Sequence, residues 1–299
     1  MNSDSGPADP GGVTPPGDVA GAAGGTAPAL EVVGVSAAYG PYRALFDVSF
    51  AVPAGGITAL IGSNGAGKST VSRVVSGLLE ASAGTVWLSG QDVTGWAAYR
   101  LARAGMAHVP EGRGIFASLT VEENLKLAFR QRGGRKGVSD SLARAYESFP
   151  LLGSRRNQLG GTLSGGEQRI LSLTKVLVVP PKVLVADEIS LGLAPLMTDV
   201  VYDGLRQINR AGTALLIVEQ QVDRVLEIAQ TAVVLEHGSV AYRGPSGGAM
   251  EAVEGLLVAK ERAESAAGAG TPSGLGGATG AMGGSELPAD APPQEGSRT

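Results

Sequence analysis

The chain has no cysteine and only two histidines. A disulfide framework and a thiolate metal site are therefore excluded, and two imidazoles are too few for a histidine-rich metal cluster. It also lacks a basic block: 28 acidic residues outnumber 24 basic ones, for a formal net charge of −4. That balance argues against nucleic acid as a partner. No apolar stretch approaches the ~20 residues of a membrane-spanning helix. The N-terminus shows no positive segment followed by an apolar run, so a signal peptide is not expected. A cytoplasmic protein is expected from these absences. His237 lies in LEHGSV, which reads as a hairpin turn, and His108 in the short apolar run AHVP. A structural role is expected for both.

Residues 1–28 and 265–299 are dominated by Gly, Pro and Ala without apolar periodicity. Such segments bury too little apolar surface to offset ordering entropy, so both are expected to be disordered tails. Between them, residues 29–258 are long enough for one sizeable core. Leu30–Val35, Ala44–Val52 and Gly84–Leu88 read as strands, and Ile57–Ile61 as a buried one. A helix is predicted over Thr70–Leu79, and a helical middle at Val121–Gln131, capped by Thr120, and at Ser139–Phe149. From Ser164 the pattern alternates: helix to Val179, strand Val183–Ala186, helix Thr198–Asn209, strand Ala214–Val218. Alternation of this kind predicts an α/β fold with a mainly parallel sheet covered by helices on both faces. The middle section, about residues 96–165, is expected to form an inserted helical subdomain.

Residues Gly62–Thr70 read GSNGAGKST, directly after the apolar run Ile57–Ile61. Glycines let backbone N–H groups turn inward around an anion, and the helix that follows adds its positive N-terminal dipole. The spacing Gly62, Gly67, Lys68, Ser69 fits the phosphate-binding P-loop, in which Lys68 reaches the β- and γ-phosphates and Ser69 places its hydroxyl on Mg²⁺. A flexible glycine turn is the plain alternative. Lys182–Glu188 (KVLVADE) is an apolar strand delivering two acids at its end. Beside a P-loop that is the Walker B arrangement, with Asp187 holding Mg²⁺ through water and Glu188 polarising the attacking water.

A third glycine-rich stretch, Leu163–Gln168 (LSGGEQ), offers a second anion site at a helix start but lacks the following Gly-Lys. With P-loop, LSGGEQ and Walker B in this order, the segment from about Leu30 to Val258 resembles the ATP-binding subunits of ABC transporters. The resemblance implies the ABC ATPase fold, with a small antiparallel β subdomain beside the P-loop core. It implies ATP and Mg²⁺ as ligands. Asn64, Gly65, Ala66, Ser63 and Thr70 belong to the phosphate loop with the residues already named. Tyr39 in AAYG fits the aromatic that stacks on adenine, although a turn tyrosine is the plain alternative. Ser164, Gly165 and Gly166 would contact the γ-phosphate held by an opposing subunit, so that ATP joins two such domains head to tail.

Narrower features point within the family. Val109–Asn124 (VPEGRGIFASLTVEEN) and Ser190–Pro195 (SLGLAP) resemble the ATP-binding subunits of branched-chain amino acid importers. There Glu111 stands near the metal where most relatives have glutamine. In Ile217–Gln221 (IVEQQ), Gln220 stands where most relatives place a histidine on the γ-phosphate. Glutamine can donate a hydrogen bond there but brings no positive charge, so a weakly hydrolysing site is an alternative. Ile189 replaces the usual proline, Lys175 the usual arginine, and Gln221 the usual asparagine. The implied assembly is an unlike pair of ATPase subunits, peripheral on the inner face of the membrane, on two integral membrane permeases fed by a solute-binding protein. Glu188, Lys68 and Gln220 are the expected catalytic residues. A non-transport ABC ATPase or a regulatory ATP-binding subunit are the rival readings.

Overall fold

The computed structural model describes residues 27–111, 114–134 and 137–268. The two expected tails lie outside the described residues, except for 27–28 and for 265–268, where the last helix continues. Gly112 and Arg113 of the VPEGR run also lie outside.

The chain begins with two long antiparallel strands, β1 (Leu30–Tyr39) and β2 (Tyr42–Val52), joined by the tight turn at Gly40–Pro41. Next come β3 (Ile57–Gly62), α1 (Lys68–Val75), β4 (Ala83–Leu88) and β5 (Gln91–Asp92). A short helix α2 (Ala98–Ala104) leads into β6 (Met106–Val109). The helical lobe is α3 (Val121–Gly133), α4 (Val138–Ser148) and α5 (Pro150–Ser154). The alternating part follows: α6 (Gly165–Leu177), β7 (Val183–Asp187), α7 (Pro195–Arg210), β8 (Ala214–Glu219) and α8 (Val222–Leu226). A hairpin, β9 (Thr231–Glu236) and β10 (Ser239–Pro245), and helix α9 (Ala249–Gly268) end the described chain. His237 sits in that hairpin turn with φ 47°.

Two sheets result. One is antiparallel, in the order β2-β1-β4-β5; the other has six strands in the order β10-β9-β3-β8-β7-β6. In the second, β9, β3, β8, β7 and β6 run parallel, and only the β10 edge is antiparallel. Parallel strands buried on both faces read as continuous apolar runs. On β7, Val183 and Val185 point into the core beneath the antiparallel sheet and α1, whereas Leu184 and Ala186 point into the core under α6, α7 and α8. A third core joins Val121, Leu125 and Phe129 of α3 to Ile170 and Leu171 of α6. Thus α6 anchors the helical lobe on the sheet.

The structure departs from expectation between residues 96 and 109. The segment does not belong wholly to a helical lobe: β6 pairs in parallel with β7 as an edge of the main sheet. Four residues are too few to display a period, so the run MAHV carried no strand signal of its own. At Thr120 the expected cap is present in full, with Thr120 Oγ1 accepting from Glu123 N and the Glu123 carboxylate accepting from Thr120 N.

Candidate active site

The glycine-rich loop connects β3 to α1, so it emerges at the carboxyl end of a central strand, where ligands of open α/β sheets bind. Two of its glycines are sterically required. Gly62 lies against β9, and a Cβ there would stand 2.4 Å from Leu235 O. Gly67 has φ 104°, and a Cβ there would stand 2.8 Å from Leu45 Cδ2. The adjoining hairpin is pinned to the loop by Gly238 N donating to Ala66 O at 3.0 Å, and to β2 by Phe46 N donating to Gly238 O at 2.8 Å.

Lys68 is buried, 4% exposed, and folds over its own loop, donating to Gly62 O at 2.9 Å and Ser63 O at 3.0 Å. Its Nζ is 4.0 Å from Glu188 Oε1. Burial lowers its pKa, and the nearby Glu188, Asp187 and Glu219 oppose that shift. The buried Lys68 ammonium thus stands before three buried acids.

Asp187 ends β7 and is 4% exposed. Burial raises its pKa, and its Oδ1 is buried without a hydrogen-bond partner. Glu188 follows with φ 45°, an uncommon left-handed conformation for a side-chain-bearing residue. Its N–H is held by Val218 O at 2.8 Å, and its carboxylate accepts from Gln220 Nε2 at 2.8 Å. Gln220 was expected on a phosphate; here its amide is on the Glu188 carboxylate. Sequence reading also missed Glu219, 2% exposed, which accepts from Ser190 N at 3.0 Å and whose pKa burial raises. It lies inside IVEQQ, where an acid ending an apolar strand was the available signal.

These groups open on a cleft of about 670 Å³ lined by Asn64, Gly65, Gly67, Lys68, Ser69 and Thr70 from the loop, and by Glu111, Glu188 and Gln220. Arg43, Phe46, Leu191 and His237 also line it. The Arg43 guanidinium stacks 4.8 Å from the Phe46 ring centre. No sequence pattern marked Arg43 or Phe46; Leu191 lies within SLGLAP, and His237 was expected only as a turn residue. Tyr39 is not a lining residue; its hydroxyl accepts from Arg73 Nη1 at 3.1 Å. Ser164, Gly165 and Gly166 do not line the cleft either. They open α6, with Ser164 as N-cap in a second capping box closed by Glu167, and Gly165 has open space around it.

The three departures from the resemblance have distinct structural settings. Ile189 is fully buried in the core under α7. Lys175 lies outside the cleft, donating to Gly114 O at 3.0 Å and Asn124 Oδ1 at 3.3 Å, and burial lowers its pKa to about 8. Gln221 is the N-cap position of α8.

A P-loop before a helix, with buried acids at the end of a parallel strand one place removed in the same sheet, defines a nucleoside-triphosphate-hydrolysing site. The family described as ABC transporter matches residues 45–190. The chain is 40% identical over 208 residues to the high-affinity branched-chain amino acid transport ATP-binding protein BraG of Pseudomonas aeruginosa, covering 69% of this chain and 88% of that protein. It is 35% identical over 223 residues to the probable branched-chain amino acid transport ATP-binding protein LivF of Archaeoglobus fulgidus, covering 74% and 94%. A solved ATP-binding subunit of an ABC transporter superposes with a TM-score of 0.64 at 28% identity, covering 72% of this chain and 89% of that one. The protein belongs to the ATP-binding subunits of ABC transporters and is an ATPase of that type. Among the described residues no helix is long and apolar enough to cross a membrane.

Proposed function

We propose that the chain energises the import of branched-chain or related amino acids. The observation that carries this reading is the 40% identity to BraG over most of that protein, with VPEGR, SLGLAP and IVEQQ all present. In the proposed cycle the loop N–H groups and Lys68 take the phosphates of ATP, Lys68 exchanging the Gly62 and Ser63 carbonyls for phosphate oxygens. Glu188 orients a water for attack on the γ-phosphorus, the bond to ADP breaks, and Gln220 holds Glu188 in position.

The donor set suits Mg²⁺. Oxygen groups of Ser69, Asp187 and Glu111 face or adjoin the cleft, and the orphaned Asp187 Oδ1 is an acceptor awaiting a partner. The ion would supply charge neutralisation at the β- and γ-phosphates.

Because Ser164, Gly165 and Gly166 stand away from the cleft, they serve the phosphate of an opposing subunit, and an unlike ATPase partner completes the second site. Phe116 and Leu127 are exposed apolar side chains of a groove beside α3, and Leu78 of another beside α2. Such faces suit the permeases, which would hold the chain on the inner side of the membrane. The solute-binding protein acts through them.

Affinity purification from the native cell tests the assembly, and uptake of labelled leucine by the reconstituted complex tests the solute. Recovery of two permeases and a second ATPase, with leucine uptake lost in Glu188→Gln, is the expected outcome. Self-association alone, with full ATPase activity and no membrane proteins, would refute the importer.

A further inference from the structure

Glu219 is a buried acid that takes no part in the proposed phosphate binding or water activation. It ends β8 and is 2% exposed. An aliphatic side chain would fill its place without the cost of burying a carboxylate, so its hydrogen bonds must matter. Both of its oxygens take backbone N–H groups: Oε1 accepts from Ser190 N at 3.0 Å and Oε2 from Gln220 N at 3.4 Å. Ser190 is buried too and stands two residues beyond Glu188, with the buried Ile189 between them. The register explains the meeting. β8 runs parallel beside β7 with Val218 opposite Asp187, so the next two residues of β8 lie alongside the turn that leaves β7. Three successive residues of β8 then hold three points of that turn. Val218 O accepts from Glu188 N at 2.8 Å, Glu219 Oε1 accepts from Ser190 N, and Gln220 Nε2 donates to Glu188 Oε1 at 2.8 Å.

The turn needs such holding. Glu188 has φ 45°, a left-handed backbone that a side-chain-bearing residue keeps only where its surroundings over-determine it. That backbone sets the direction of the Glu188 Cα–Cβ bond, and so where its carboxylate starts from. Val218 O grips the turn at Glu188 itself, and Glu219 grips it again two residues later. Gln220 acts only on the far end of the side chain. We infer that Glu219 is a positioning residue: through Ser190 N it keeps Glu188 in its left-handed backbone and thereby aims the carboxylate, an inference that rests on the proposed role of Glu188 in orienting water. A plain countercharge to Lys68 would need the negative charge of Glu219. The positioning role needs its reach and an acceptor oxygen.

The test separates reach from charge at one position. Single-turnover release of radiolabelled phosphate from ATP by the full chain gives the hydrolysis rate, a nucleotide titration gives the affinity, and thermal melting checks folding. Glu219→Gln loses the charge but keeps an oxygen for Ser190 N, so its rate should stay within about threefold of the parent. Glu219→Asp keeps the charge but is one methylene too short. Like Glu219→Ala, it should slow hydrolysis about 10- to 100-fold, the scale on which misplacing a reacting group by about 1 Å is felt. ATP affinity should change by less than about threefold in all three, because no contact with the phosphates is removed. In a Glu188→Gln background, Glu219→Ala should slow hydrolysis no further, since it acts through Glu188. The reverse ranking, with Glu219→Gln slow and Glu219→Asp like the parent, would overturn the inference in favour of a countercharge to Lys68. Parent rates in all three variants, or losses that multiply in the double variant, would overturn it as well. If Glu219→Ala does not fold, Glu219→Asp takes its place in both comparisons. Failure of the underlying reading looks different: Glu188→Gln alone would hydrolyse ATP at the parent rate.

Discussion

Replacing Gln220 by alanine separates two roles that one glutamine could play. Its Nε2 donates to Glu188 Oε1 at 2.8 Å, while Lys68 Nζ stands 4.0 Å from the same oxygen. Removing the amide leaves a buried carboxylate with one fewer donor and a cation within reach. Glu188 is then drawn towards Lys68 and away from the water it would orient. A hydrogen bond to a charged group contributes roughly 1.5–3 kcal/mol, and 1.36 kcal/mol is tenfold in rate, so kcat should fall roughly 10- to 150-fold. ATP affinity should change by less than about threefold, because the interaction removed is with Glu188 and not with ground-state phosphate. Steady-state phosphate release and a nucleotide titration on the same preparation measure both quantities. Gln220→His, which restores a donor, should recover most of the rate. An unchanged kcat, or a large loss of ATP affinity at constant kcat, would refute the reasoning and return Gln220 to the phosphate.

Lys68→Ala should abolish most nucleotide binding and nearly all turnover, since it removes the cation proposed to take the phosphates; isothermal titration with ATP checks this. Glu188→Gln should keep ATP binding but slow hydrolysis at least ~100-fold, and with a competent partner should accumulate an ATP-bound dimer on a sizing column. Asn124 is 1% exposed; its amide donates to Phe116 O, Leu119 O and Thr120 O and its Oδ1 accepts from Phe116 N. Asn124→Ala should therefore cost about 2–3 kcal/mol in a denaturant titration, through the backbone groups left unpaired. His108 binds its proton less readily folded, near pH 4, than unfolded, near 6.5. The folded state thus loses stability as pH falls from 6.5 towards 4, by up to about 3 kcal/mol, and His108→Gln should flatten that slope in melting curves. The buried Asp187 and Glu219 act in the opposite direction, so the comparison must be between variant and parent.

What the sequence determined by itself is what neighbouring residues enforce on one another. The turn at Gly62–Ser69, the cap at Thr120 and the apolar strand ending in Asp187 are each specified within a few positions by sterics, hydrogen-bonding capacity and period. They were legible for that reason, and with LSGGEQ they carried the family. The tertiary structure decided which distant groups meet. Gln220 reaches Glu188 only because β7 and β8 are adjacent, and Arg43, Phe46 and His237 enter the cleft only because β2 and the β9–β10 turn are hydrogen-bonded beside the loop. Tyr39 turns to Arg73, and the four-residue β6 acquires its identity from pairing with β7. A local pattern states which face of an element is apolar and how the backbone turns. The partner across the core is chosen by the packing of all the elements together, and no short stretch of chain encodes it.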